Sequence, residues 1–244
     1  MNRRTFLRIG AAGSLSIAAA ARSSAASVAV QDDVPYGQSQ LGLSDDGRDG
    51  VLYVPKAYKP GTPNPCVMML HGFAGWADNL RSTFALGEEF GVVIIAPESR
   101  GLTWGRSVPG FDDDVRYLGA AYRHVTSIID VDESHVALAG QSDGAGYALS
   151  MGLAYGDVFN HLMIFAGGMM APLRKRGMPR IFFAHGGSDN QMPIDRTARL
   201  FVPQLRAEGY DVTLREYDGG HGVPREVVRE AYQWFVADDK RPQP

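Results

Sequence analysis

Five short runs that are apolar at every position, residues 67–70, 92–96, 136–139, 162–165 and 181–184, restrict the fold of this chain more than any other feature. A strand with one wet face alternates apolar and polar residues, whereas a strand apolar throughout is buried on both faces. Between the runs lie amphipathic stretches that read as helices over 77–90, 112–129, 145–155, 195–208 and 225–236, with a sixth strand at 212–217. Strands alternating with helices imply a mostly parallel central sheet flanked by helices, an α/β fold. Upstream, the G-R-D-G turn at 47–50 lies between short runs, the second at 51–54, and reads as an opening hairpin. No second domain is evident.

In such sheets ligands collect beyond the carboxyl ends of the strands, so the residue types found there carry the functional argument. The strand at 136–139 runs into Gly140-Gln141-Ser142-Asp143-Gly144 and then directly into a helix. Glycines on both sides of Ser142 permit a sharp turn with strained backbone at the serine, which raises its hydroxyl above the sheet as a nucleophile. The strand at 67–70 ends in H-G-F-A-G, residues 71–75. There the Phe73 amide is placed to stabilise an oxyanion together with the amide of Asp143, the residue after the nucleophile. His71 precedes the serine and reads as a brace for this loop.

The strand at 181–184 leads into H-G-G-S-D-N-Q-M-P, whose Asp189 is the expected triad acid. The strand at 212–217 ends at Asp218-Gly219-Gly220-His221, and His221 is the one histidine after Asp189. Asp218 is the rival acid, but three residues from His221 on one short loop it should point elsewhere.

These motifs, each placed after a strand, resemble the α/β-hydrolase superfamily, most closely its phospholipase/carboxylesterase (serine esterase) branch, with secreted polyhydroxybutyrate-depolymerase-like and feruloyl-esterase-like hydrolases as relatives. The likeness spans residues 51–236, including the A-P-E-S-R-G-L-T-W loop at 96–104. Asp143 departs from depolymerase-type relatives, many of which carry Asn there. The resemblance implies ester hydrolysis through an acyl-enzyme on Ser142, with no metal and no cofactor. Peptidase or acyltransferase chemistry on the same triad, or a catalytically idle binding protein of this fold, are the alternatives. About fifteen residues separate the strands at 162–165 and 181–184, too few for a large cap domain. Met169 and Met170 are expected to form a soft wall for the substrate, and Trp104 an aromatic face at the mouth. The expected partner is a small-molecule or lipid-like ester, with a polyester as a further candidate.

Residues 1–26 read as a twin-arginine-type signal peptide: Arg3-Arg4 before Thr5-Phe6-Leu7, then a modest apolar run and small residues. That reading makes the export machinery a partner and the periplasm or exterior of a bacterium the destination. The run is too short and too weakly apolar for a stable membrane anchor. Residues 27–40 follow as a linker, and 41–244 as the catalytic domain. Without the leader's four arginines the formal charge falls from −3 to −7. An acidic chain with no basic stripe argues against a nucleic-acid partner. Cys66, the single cysteine, excludes an internal disulfide and sits in an apolar strand. Residues 140–146 lack the Lys-Ser/Thr pair of a phosphate-binding loop. Asp112, Asp113 and Asp114 read as acids favouring a helix N-terminus, and the basic triplet at 174–176 as a solvated loop.

Overall fold

The computed structural model describes residues 34–45, 47–105 and 113–237. The expected leader, residues 27–33 of the linker and Asp112 lie outside the described residues. Among those described, no helix is long and apolar enough to cross a membrane.

Eight strands form a single sheet: β1 (Gly37–Gln40), β2 (Gly50–Val54), β3 (Asn64–Leu70), β4 (Val93–Pro97), β5 (Val131–Gln141), β6 (His161–Phe165), β7 (Arg180–Gly186) and β8 (Val212–Tyr217). Their spatial order is β1-β2-β4-β3-β5-β6-β7-β8. β2 runs antiparallel to β1 and β4, and the remaining neighbours are parallel. The hairpin forms, but its first strand, Gly37–Gln40, occupies the last four residues of the expected linker. The motif Gly37-Gln38-Ser39-Gln40 pairs through its backbone at the sheet edge, where one flank meets water and no apolar pattern is required.

The helices are α1 (Arg81–Phe90), α2 (Asp113–Ile128), α3 (Asp143–Ala154), α4 (Ala198–Ala207) and α5 (Arg225–Ala237). Short 3-10 turns at Ala77–Leu80 and Ile194–Arg196 replace the first residues of two expected helices. Gly91, at φ 68°, ends α1 and returns its amide to the Gly87 carbonyl, a left-handed cap that glycine adopts without penalty.

Successive strand residues point to opposite faces, and both faces are dry. On one side Cys66, Met68, Leu70, Val136, Leu138, Leu162 and Ile164 pack with residues of α2, α3 and α4. On the other, Val67, Met69, Ala137, Ala139, Met163 and Phe165 pack with Phe84 and Leu86 of α1 and Val227, Ala231 and Phe235 of α5. The uninterrupted apolar runs of the sequence are thus two interleaved core faces. Cys66 is fully buried in one of them, and that burial pushes its thiol up to about 12, which leaves it inert. Between β6 and β7 lies a helix-free connection over 166–179, so among the described residues no cap domain is inserted there.

Candidate active site

Close packing places the serine. A Cβ on Gly140 would lie 2.4 Å from the Gly144 carbonyl, and one on Gly144 would lie 2.3 Å from the His71 carbonyl oxygen. Only glycines allow β5, the turn and α3 to fold back this tightly against β3. Ser142 itself has φ 56° and ψ −117°, a left-handed conformation costing on the order of 1–3 kcal/mol that the surrounding contacts hold in place. Its amide donates to the Phe165 carbonyl at 2.9 Å, pinning the turn to the end of β6.

The loops after β5, β7 and β8 bring Ser142, Asp189 and His221 together. His221 Nε2 lies 2.8 Å from Ser142 Oγ, and His221 Nδ1 lies 2.7 Å from Asp189 Oδ2. A carboxylate accepts only, so the imidazole proton sits on Nδ1, leaving Nε2 to accept from the serine hydroxyl. The other carboxylate oxygen, Oδ1, accepts from the amides of Gln191 and Met192, both at 2.9 Å. Burial alone would push the Asp189 carboxyl up; the Met192 amide, His221 and the Gln191 amide outweigh it and hold the group below the usual carboxylate range. Asp218, by contrast, is exposed.

The loop at residues 71–75 is braced from beneath. Ser99 donates its amide to His71 Nε2 at 3.1 Å, so the His71 proton resides on Nδ1, which donates to the Gly72 carbonyl at 2.7 Å. Burial, aided by the nearby Arg48 guanidinium, pushes the His71 imidazole below its ordinary value, which suits a neutral brace. Ala74 stands at φ 52° and donates to the Leu102 carbonyl. Between them, the Phe73 amide makes no hydrogen bond among the described residues. Phe73 itself is 63% exposed. Asp143 opens α3, where first-turn amides have no intrahelical acceptor.

Two expected substrate contacts are corrected. Trp104 is 1% exposed and does not face the mouth. Its Nε1 donates to the His71 carbonyl at 2.8 Å, its amide donates to Asp143 Oδ2 at 3.1 Å, and its ring stacks on Tyr147. It supports the 71–75 loop from the core. Met170 is partly buried against the core on the α2, α3 and α4 side and is not among the residues that line the cleft. Met169 does line the cleft, an opening of about 270 Å³ bounded also by Ser142, Asp143, Gly146, Gly168 and Met192.

Met192 is the wall residue that sequence reasoning missed. The only signal was its place before Pro193, which extends the chain. Thr103 was also missed; its hydroxyl donates to Asp143 Oδ2 at 2.5 Å. Asp114, read as a helix-start acid, additionally accepts the amides of Arg100 and Gly105, tying down the loop that carries Thr103 and Trp104. Among the described residues no three metal-ligating side chains converge.

The chain is 23% identical to feruloyl esterase C of Emericella nidulans over an alignment covering 79% of this chain and 85% of that protein. Its structure superposes on the esterase Est2 of Thermogutta terrifontis with a TM-score of 0.66 at 18% identity, covering 84% of this chain and 92% of that one. The fluorophosphonate-binding serine hydrolase FphF of Staphylococcus aureus gives 0.65 at 14% identity, covering 78% and 92%. No protein-family model matches the chain.

Proposed function

This chain has the α/β-hydrolase fold, and on that premise we propose that it is a serine esterase acting on carboxylic esters through an acyl-enzyme on Ser142. The observation that carries the reading is the unbroken relay from Ser142 Oγ through His221 to Asp189, at 2.8 and 2.7 Å. Such a relay makes a serine nucleophilic near neutral pH. His221 Nε2 takes the hydroxyl proton as Oγ attacks the ester carbonyl. The developing oxyanion is met by the amides of Phe73 and Asp143, and His221 then gives the proton to the departing alcohol. Water repeats the sequence on the acyl-enzyme, releasing the acid and restoring Ser142.

An open cleft with Met169 and Met192 on its wall favours a modest apolar acyl or aryl group over a long buried chain. The feruloyl esterase relative supports an ester substrate, within the serine esterase branch to which the motifs point. For localisation, the Arg3-Arg4 leader supports twin-arginine export to the periplasm or beyond. Cell fractionation of the full chain beside a version with both arginines changed to lysine tests that; equal export of the two would refute it.

Ser142→Ala should abolish p-nitrophenyl ester hydrolysis and fluorophosphonate labelling while leaving thermal unfolding close to that of the unchanged protein. Parallel panels of esters and amides separate this reading from a peptidase. Amide turnover exceeding ester turnover would overturn it.

A further inference from the structure

A second histidine lies against the triad acid, at the same carboxylate oxygen as His221. His185, at the end of β7, is fully buried, and its Nε2 lies 2.7 Å from the Met192 carbonyl oxygen and 3.2 Å from Asp189 Oδ2. A carbonyl oxygen can only accept, so Nε2 carries the imidazole proton and Nδ1 does not. Nδ1 is buried with no hydrogen-bond partner among the described residues. The ring is therefore held by its Nε2 side alone, and that side points at the loop shaping the acid.

The contacts close a cycle. His185 Nε2–H engages the Met192 carbonyl, the Met192 amide donates to Asp189 Oδ1, and Asp189 Oδ2 lies against His185 Nε2. Oδ2 is also the oxygen that receives His221 Nδ1–H. Asp189 thus accepts three hydrogen bonds, two backbone amides on Oδ1 and His221 on Oδ2, while His185 Nε2, engaged by the Met192 carbonyl, lies against Oδ2. A buried carboxylate so held on both oxygens has one orientation, and that orientation aims Oδ2 at His221.

We propose that His185 is a positioning residue for the triad: through Met192 and Asp189 it fixes the carboxylate that orients His221. This rests on the serine-hydrolase reading of Ser142, Asp189 and His221. It also links acid and substrate wall, because the Met192 segment held by His185 bears a side chain that lines the cleft.

The test uses the full protein and two readouts: the rate at which a fluorophosphonate inactivates Ser142, and kcat and KM for p-nitrophenyl acetate. Labelling reports activation of the serine whatever the natural substrate. His185→Leu keeps the site filled but removes the donor. It should slow labelling and kcat by about ten- to a hundredfold, with KM within about threefold, as expected for a reacting group displaced by a fraction of an ångström. His185→Gln places an amide N–H near the position of Nε2 and should restore most of the rate. Wild-type labelling of His185→Leu, or a Gln variant as slow as the Leu variant, would overturn the proposal. If His185→Leu fails to fold, His185→Gln is compared with His185→Asn, whose shorter amide cannot reach the Met192 carbonyl; equal rates then refute it. A native protein that labels but spares esters refutes the esterase reading while the labelling comparison still judges His185. One that does not label at Ser142 removes the triad, and this inference with it.

Discussion

Alanine at position 144 tests how packing sets the oxyanion site. A Cβ there stands 2.3 Å from the His71 carbonyl oxygen and 2.6 Å from that of Leu70, where ordinary contact begins at 3.4 Å. Something must therefore move by about 1 Å, and both obstructing atoms are backbone. Leu70 is held in the sheet by pairing with Gly140, so the shift falls on α3 or on the loop that begins at His71. One carries the Asp143 amide and the other the Phe73 amide. Either displacement opens the gap between the two donors enough to lose one hydrogen bond to the oxyanion. Losing one such donor costs about 2.7–4 kcal/mol in the transition state, or a 10²–10³-fold drop in kcat. Overpacking should also cost about 1–3 kcal/mol of stability, at roughly 2–4 °C per kcal/mol in Tm. Steady-state kinetics on p-nitrophenyl acetate with a thermal melt reads both, and KM should stay near its original value because the oxyanion forms only after binding. Gly222→Ala is the control, since a Cβ there meets nothing within 4 Å. A Gly144→Ala enzyme retaining kcat within about threefold of wild type would refute the argument that α3 packing on β3 sets the oxyanion geometry.

Four further outcomes follow from the same geometry. Asp189→Asn should lower kcat by about 10³–10⁴-fold, whereas Asp143→Asn, whose amide oxygen can still accept from Thr103 and Trp104, should cost less than about tenfold; the reverse ranking in parallel assays would reassign the acid. Trp104→Phe strips the buried His71 carbonyl of its indole donor and should cost about 1–3 kcal/mol in denaturant unfolding with KM unchanged; a raised KM at full stability would return Trp104 to the substrate wall. The Asp189 carboxyl is held below its ordinary 3.8, so its stabilising contribution is complete above that value and fades as pH falls through the lower folded-state value. Unfolding free energies measured from about pH 6 to about pH 2 should therefore fall less steeply for Asp189→Asn than for wild type, and parallel curves would contradict it. Met192→Ala should raise turnover of p-nitrophenyl hexanoate relative to acetate several-fold by widening the cleft, and an unchanged ratio would remove Met192 from the acyl wall.

What the sequence disclosed was what depends on local pattern. β4, β6 and β7 announce themselves because burial on both faces excludes polar residues along a run. The polar first half of β5, Val131-Asp132-Glu133-Ser134-His135, carries no such mark, since part of it is exposed and its pairing with β3 shifts register between Asn64 and Cys66. The position of β1 escaped notice for the same reason, since it is a polar edge strand within the expected linker. Ser142, Asp189 and His221 were legible because each follows a strand in a glycine-bearing turn. Trp104 was not, because its burial depends on partners far away in the chain, the His71 carbonyl and the Asp143 carboxylate. Spacing cannot show that a carboxylate beside the nucleophile is occupied in holding another loop.

The non-glycine residues with left-handed backbone among those described are Ala74, Ser142 and Ala166. They follow the carboxyl ends of β3, β5 and β6, three adjacent strands of the sheet, and each turns its loop abruptly at the site. Such conformations cost on the order of 1–3 kcal/mol each and persist only where neighbouring contacts leave no alternative. Here those contacts are visible: Ala74 donates to Leu102, Ser142 to Phe165, and Ala166 to Ala184. Each bond ties a strained turn to another loop or strand rather than to its own. The strain at Ser142 is thus carried by β6, that at Ala166 by β7, and β7 leads on to His185 and Asp189. Site geometry in this chain is a property of the sheet's whole carboxyl edge, so a substitution at a strand end that touches no substrate, such as Ala166→Pro, which removes the amide donated to Ala184 and cannot adopt φ 53°, should lower both kcat and stability.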